Sequence, residues 1–216
     1  MLIDFDGTVT QNDSVDAILE AFALPEWRTV EASWIAGTIG SRECMRQQAG
    51  LIRAWPHELN AFIDNIAIDP AFRKLLQTCA DENAAYAIVS DGYDVTIRRV
   101  LGRLGVDCPV VCGRLEHVRE DNWRFSAPYS DPECRSGAGT CKCMEAMGGN
   151  SILIGDGRSD FCVAGTASFV FAKGALAQHC RDSGIPHLEF HTLHDILTPL
   201  RATLRRMTAN TYQKVA

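Results

Sequence analysis

Met1-Leu2-Ile3-Asp4-Phe5-Asp6-Gly7-Thr8-Val9-Thr10 opens the chain, and the reading of this stretch decides the fold. Leu2 and Ile3 read as the end of a buried strand. Asp4 and Asp6 lie either side of Phe5, and Gly7 lets the backbone turn sharply before Thr8. Two carboxylates this close repel each other when ionised, which raises at least one pKa unless a cation sits between them. The pattern points to a divalent-metal site with one Asp as nucleophile and the other as general acid. Taken alone, the stretch also fits a plain Asp/Gly turn after an edge strand. With the candidate nucleophile at position 4, the strand is either very short or lacks a few residues at its start.

Three later segments bear on that choice. Ala87-Ile88-Val89-Ser90-Asp91-Gly92 is an apolar run that stops at a hydroxyl, and Ile152-Leu153-Ile154-Gly155-Asp156-Gly157-Arg158-Ser159-Asp160 is another that stops at two carboxylates. Lys142 lies between them. Each has a bland reading: a helix-capping Ser, a solvated Lys between two cysteines, a turn at Asp156-Gly157, and an Asp160 that suits a helix dipole.

In this order the four segments resemble the four motifs of the haloacid dehalogenase superfamily of phosphohydrolases. The resemblance implies catalysis by Asp4, Asp6, Lys142 and Asp160. It also implies Mg²⁺ held by Asp4, Asp156 and the backbone carbonyl of Asp6, an oxygen set that suits this ion. Ser90 and the backbone N–H groups beside it, at Asp91 and Gly92, would hold the phosphoryl oxygens, with Lys142 opposing the growing negative charge. Asp160 would orient Lys142 or a metal-bound water. The dehalogenase branch lacks the second Asp of the opening motif, so Asp6 implies phosphoryl transfer.

Between the first strand and the second, Tyr86 to Val89, the apolar spacing stays helical. Val15, Ile18, Leu19 and Phe22 follow the N-cap candidates Asn12 and Asp13, and Pro25 ends that helix. Further helices carry Trp27, Val30, Trp34 and Ile35, closing at Gly37, then begin at Ser41, at Pro56 and at Asp69-Pro70. A parallel crossover needs only about a dozen residues, so most of this block is an insertion. The expected division is a catalytic core of residues 1–12 and 73–216 with a helical cap of 13–72.

Beyond Ser90, a helix through Ile97, Val100, Leu101 and Leu104 closes at Gly105. Three short strands follow, Val110 to Cys112, Leu115 to Val118 and Trp123 to Phe125, with Glu120-Asp121-Asn122 as a turn. Gly148-Gly149 ends the helix after Lys142. Ile152 to Ile154 and Phe169 to Ala172 are buried strands, Ile185 to Phe190 an edge strand, and a helix through Ile196, Leu200, Leu204 and Met207 finishes the chain. Strands alternating with helices predict the α/β class: a doubly wound parallel sheet, here with the HAD-like Rossmannoid core and a small helical cap inserted after the first strand. Its ligand crevice lies at the carboxyl ends of the strands, where all the candidate polar residues fall.

An insertion directly after the first motif resembles the phosphoserine-phosphatase-like subfamily. Asp4 to Thr10, the stretch from Phe22 to Pro25-Glu26-Trp27, and the Cys-rich loop before Lys142 resemble its methionine-salvage phosphatases, which act on an enol phosphate. Two residues depart from these patterns. Asp91 stands where the salvage enzymes have the first of paired glycines, and Asp13 stands where phosphoserine phosphatases place a Glu. The resemblance implies a small phosphorylated metabolite as substrate, contacted by Asp13; Arg46 and Arg158 are further candidates for substrate contact. Trp27, Trp34 and Trp55 suggest an apolar cap surface. The alternatives left open are a phosphoserine or other small-metabolite phosphatase, and a non-catalytic phosphate-ester binder or phospho-aspartate signalling domain.

The chain has 216 residues, 46% hydrophobic, enough for one domain with a small insertion. Its formal net charge of −6 gives no electrostatic reason to expect a nucleic-acid partner. No apolar run approaches a membrane span and no signal segment is visible, so a cytoplasmic location is expected; either a monomer or a homodimer is compatible with the sequence. The odd number of cysteines, nine, argues for reduced thiols. Cys134, Cys141 and Cys143 with His117 match no familiar zinc spacing, which favours thiols over a metal site.

Overall fold

Along the strands, alternate residues go to different packing layers, as a pleat with a two-residue period requires. Ile3, Ile88, Ile152, Ile154 and Phe171 join one buried cluster, whereas Leu2, Val89, Leu153, Val170 and Ala172 join another. Both faces of the sheet are therefore covered, the arrangement that near-continuous apolar strands demand. The computed structural model describes residues 1–134, 137–146 and 151–213. The expected helix end at Gly148-Gly149 lies outside the described residues.

Seven strands and ten helices are found among the described residues. The chain opens with β1 (Leu2–Ile3), then the helices α1 (Ser14–Phe22), α2 (Trp27–Ile35), α3 (Ser41–Ala49), α4 (Pro56–Ile63) and α5 (Phe72–Asp81). Next come β2 (Ala87–Tyr93), α6 (Asp94–Arg103), β3 (Val110–Arg119), β4 (Asn122–Ser126), α7 (Lys142–Ala146) and β5 (Ile152–Gly155). A 3-10 turn at Arg158–Asp160 leads into α8 (Phe161–Ala164) and β6 (Phe169–Ala172). The last elements are α9 (Gly174–Ser183), β7 (Leu188–Glu189) and α10 (Leu193–Gln213).

The sheet order is β4-β3-β2-β1-β5-β6-β7, and every pairing is parallel except β3 with β4. The central strand β1 pairs on one side with β2 (Leu2 opposite Ala87) and on the other with β5 (Leu2 opposite Leu153). The chain thus winds outward in both directions from β1, and the crevice at this switch point is where such sheets take ligands.

The helical insertion appears as expected, with a stem visible in the backbone. Gln11 N–H donates to Ala67 O at 3.0 Å and Asp69 N–H to Val9 O at 2.9 Å, while Thr10 and Ile68 form an antiparallel bridge. The outgoing and returning chains are held side by side there. A β-hairpin props the block from below: Trp123 Nε1 donates to Ala54 O at 2.8 Å, and Ala54 N–H donates to Asp121 O at 3.0 Å.

Three boundaries differ from the sequence reading. β2 runs on past Val89 to Tyr93, with an irregularity in its pairing between Ser90 and Tyr93. The strands expected at Val110 and Leu115 are one strand, β3, which pairs parallel with β2 and then antiparallel with β4. A Cβ at Gly113 inside it would lie 2.2 Å from the Phe125 ring, so the glycine admits that ring without ending the strand. The edge strand is only Leu188–Glu189.

Candidate active site

Asp4 continues β1, its N–H donating to Ile154 O at 2.9 Å, so its side chain emerges where β1 leaves the sheet. Three carboxylates meet there: oxygens of Asp4, Asp156 and Asp160 lie within 4.8 Å of one another. Asp156 follows β5 directly, and Asp160 ends the 3-10 turn. Gly7 makes the approach feasible. Its φ of +70° is the left-handed conformation glycine tolerates, and a Cβ there would lie 2.3 Å from Asp156 Oδ2.

Lys142 answers this negative charge. It is 2% exposed, and its Nζ donates at 2.6 Å to Asp4 Oδ1, at 2.6 Å to Asp160 Oδ1 and at 3.2 Å to Ser159 Oγ. Burial alone would lower the Lys142 pKa, but the carboxylates of Asp160, Asp4 and Asp91 more than offset it, so the ammonium form is held. The other Asp160 oxygen accepts from the N–H of Asp156 at 3.2 Å and of Gly157 at 3.4 Å. Both oxygens of Asp160 are thus in use, one by the lysine and one by the turn.

Burial raises the Asp4 pKa against the opposing pull of Lys142. It pushes Asp156 up to about 9, with the charges of Asp4 and Asp160 adding to the effect. Asp156 Oδ1 accepts from Thr8 Oγ1 at 3.2 Å. Carboxylates that resist ionisation when crowded are the donors a divalent cation would relieve. The all-oxygen set of Asp4 and Asp156 suits a hard ion such as Mg²⁺. The residues present therefore fit the ion that the sequence implied.

Asp6 stands apart from the lysine. Its Oδ2 accepts from Ser90 Oγ at 3.1 Å and its Oδ1 from Ser14 Oγ in a short hydrogen bond. Ser90 Oγ in turn accepts from Gly92 N–H at 2.9 Å. Burial, reinforced by the charge of Asp13, pushes Asp6 up to about 7, so a proton is available on this side chain near neutral pH. The sequence reading missed Ser14, which at a helix start resembles any capping residue. Thr8 and Ser159 were missed likewise, since their value lies in what faces them.

Asp13, Arg158, Ser90, Asp91 and Gly92 line the same crevice as Asp4, Asp6 and Asp156. Asp13 Oδ1 caps α1, accepting from Val15 N–H at 2.8 Å and Asp16 N–H at 3.0 Å. Arg158 reaches across to the helical block, where Nη1 donates to Ile35 O at 2.9 Å and the guanidinium lies 5.7 Å from the Trp34 ring centre. The Asp91 carboxylate turns to the loop before α7, accepting from Thr140 N–H at 2.7 Å and Gly139 N–H at 3.3 Å. The far wall is built by α1, α2 and α3 through Val15, Asp16, Glu31, Trp34, Cys44 and Met45, most of which the sequence did not single out.

Some candidates lie elsewhere. Arg46 is exposed and paired with Glu43 at 2.6 Å one helical turn away, outside the crevice. Of the three tryptophans, Trp34 lines the crevice, Trp27 is buried in the core and Trp55 is half-exposed. None of the nine cysteines forms a disulfide. Cys143 Sγ lies 3.0 Å from Cys162 Sγ, and His117 bonds to Glu120 O at 2.8 Å. Among the described residues, the one cluster with metal-ligand spacing is the three carboxylates.

The sequence model described as haloacid dehalogenase-like hydrolase matches residues 1–165. A protein of Exiguobacterium sp. named 2-hydroxy-3-keto-5-methylthiopentenyl-1-phosphate phosphatase is 30% identical over 204 residues, covering 91% of this chain and 94% of its own. The protein of that name from Geobacillus kaustophilus is 29% identical over 209 residues, covering 93% of this chain and 94% of its own. Among solved structures, a substrate-bound phosphoserine phosphatase superposes with a TM-score of 0.67 at 18% identity, covering 91% of this chain and 95% of that one. That likeness concerns the fold: the doubly wound sheet carries its helical insertion after the first strand, as the sequence predicted. Among the described residues no helix is long and apolar enough to cross a membrane.

Proposed function

Because this chain belongs to the haloacid dehalogenase-like hydrolase family, we propose that it is a Mg²⁺-dependent phosphomonoesterase acting through an aspartyl-phosphate on Asp4. The observation that carries the reading is the shared ammonium: Lys142 lies 2.6 Å from Asp4 and 2.6 Å from Asp160, all three buried beside Asp156.

Each side chain has a distinct task. An Asp4 oxygen attacks phosphorus, forming the acyl phosphate as the bond to the ester oxygen breaks. Asp6, protonated near neutral pH, gives its proton to that departing oxygen. It then takes a proton from the water that attacks phosphorus, releasing inorganic phosphate and restoring Asp4. Lys142 keeps a fixed positive charge against the phosphoryl oxygens, and Asp160 holds Lys142 in place. Ser90 and the N–H groups of Asp91 and Gly92 would bind the remaining oxygens. Mg²⁺, held by Asp4, Asp156 and the backbone carbonyl of Asp6, would neutralise the charge of the phosphate dianion.

Residues 13–72 act in this reading as the cap over the crevice, selecting a small phosphorylated metabolite. The enol phosphate in the relatives' names suits the part of the wall formed by Val15, Trp34, Cys44 and Met45, which offers a methylthio chain an apolar surface beside Asp16 and Glu31. Phosphoserine suits it less well, because Asp13 is shorter than the Glu that phosphoserine phosphatases place there and one of its oxygens caps α1. A non-catalytic phosphate-ester binder or phospho-aspartate signalling domain has no use for a proton donor such as Asp6.

The test is steady release of inorganic phosphate from p-nitrophenyl phosphate and a panel of metabolite phosphates, methylthio-sugar phosphates and phosphoserine included. Wild type with Mg²⁺ should turn over, and Asp4→Asn should lose several orders of magnitude, roughly the 10⁶-fold loss seen when a nucleophile is removed. Undiminished turnover by a folded Asp4→Asn enzyme would end this reading.

A further inference from the structure

The carboxylate of Asp91 is spent on the backbone of another segment. It follows Ser90 in β2, yet its Oδ1 accepts from Thr140 N–H at 2.7 Å and its Oδ2 from Gly139 N–H at 3.3 Å. Thr140 is fully buried and lies two residues before Lys142, the first residue of α7. On its other side the segment is tied by Cys141 N–H, which donates to Tyr129 O at 2.9 Å. The Lys142 ammonium must meet Asp4 and Asp160 at 2.6 Å each, so the backbone that carries it has little freedom to shift.

We infer that Asp91 is a positioning residue: it clamps the Gly139–Thr140 backbone and thereby sets where Lys142 enters the site. The inference rests on the phosphatase reading, in which Lys142 stabilises the phosphoryl charge. A residue without a side chain at position 91 would leave two N–H groups without this acceptor and the loop without its link to β2.

A double-mutant cycle tests the claim with p-nitrophenyl phosphate and saturating Mg²⁺, using Asp91→Ala, Lys142→Ala and the double variant. Asp91→Ala should lower kcat by about 10²-fold, the scale of a reacting group misplaced by about 1 Å, while KM shifts less than about threefold. In the Lys142→Ala background the same substitution should change kcat by less than about twofold, because the group it positions is gone. Asp91→Asn keeps an acceptor oxygen in the same place and should recover most of the loss. If the alanine variant does not fold, Asp91→Ser, whose hydroxyl is too short to span both amides, carries the cycle in its place. Wild-type kcat in Asp91→Ala, or the full loss repeated on top of Lys142→Ala, would overturn the inference and leave the phosphatase reading standing. Undiminished turnover by Lys142→Ala alone would sink both.

Discussion

Gly92 leaves no room for a side chain beside Asp6: a Cβ at position 92 would lie 2.0 Å from Asp6 Oδ2 and 3.1 Å from Ser90 Oγ. The contact is a carboxylate fixed by two serines, not the end of a long flexible chain, so it cannot give way cheaply. Gly92→Ala should therefore push Asp6 off its position and lower kcat by roughly 10²-fold. Circular dichroism should remain native, and an alanine enzyme with unchanged kcat would show that the strand end yields instead.

Asp6 as proton donor makes a prediction about leaving groups. With its pKa pushed to about 7 by burial and by Asp13, the side chain can protonate an alkoxide that departs poorly. Asp6→Asn should slow alkyl phosphates by about 10²–10⁴-fold, the usual range for a lost general acid. Aryl phosphates with acidic phenols should suffer far less. An equal loss across leaving groups of different pKa would contradict the assignment.

The crowded carboxylates also set a pH dependence of stability without metal. Burial holds Asp160 at about 6 against the pull of Lys142, and burial with neighbouring negative charge holds Asp6 at about 7 and Asp156 at about 9 in the folded protein. The unfolded chain titrates these groups near 4. Between these limits the folded state binds more protons than the unfolded one, so stability falls as pH rises. In chelator, the melting temperature should drop between pH 6 and pH 9, and Mg²⁺ should narrow the difference by favouring the ionised forms. A flat or rising profile in chelator would be inconsistent with this cluster.

Much of the fold and site was legible because the chemistry sits at chain positions that local pattern can find. Asp4, Ser90 and Asp156 each follow an apolar run, and the end of a parallel strand is where a run must stop and a polar side chain can face the crevice. Lys142 was legible only by its order among the motifs, since nothing local distinguishes it from a solvated lysine. Its burial depends on Asp4 and Asp160, which are 138 and 18 residues away in sequence. The misreadings share one cause, which is that a residue's type does not say which way it faces. Arg46 sits on the outer side of α3, while Cys44 and Met45 of the same helix face the crevice. Nothing near Asp91 in the sequence says where its carboxylate goes, because the loop that absorbs it lies 48 residues downstream.

One structural carboxylate lies outside the reaction and separates stability from catalysis. Asp69, 7% exposed, accepts from Ala71 N–H at 2.8 Å through Oδ1 and from Leu193 N–H at 2.9 Å through Oδ2. It thereby joins the start of α5 to the first residue of α10, at the point where the chain returns from the helical insertion. Asp69→Ala leaves two buried N–H groups without an acceptor, each costing about 1–3 kcal/mol. The sum, roughly 2–6 kcal/mol, corresponds to a fall in melting temperature of roughly 5–20 °C for a chain of this size. Asp69→Asn retains one acceptor oxygen and should lose about half as much. Both variants should keep wild-type kcat below their melting transitions, because none of the crevice residues bonds to Asp69. A melting temperature within about 1 °C of wild type would mean that water replaces the carboxylate at both amides, and that the join between α5 and α10 is held by their apolar packing and by the ion pairs of Arg201 and Arg205 with Asp81 and Glu82.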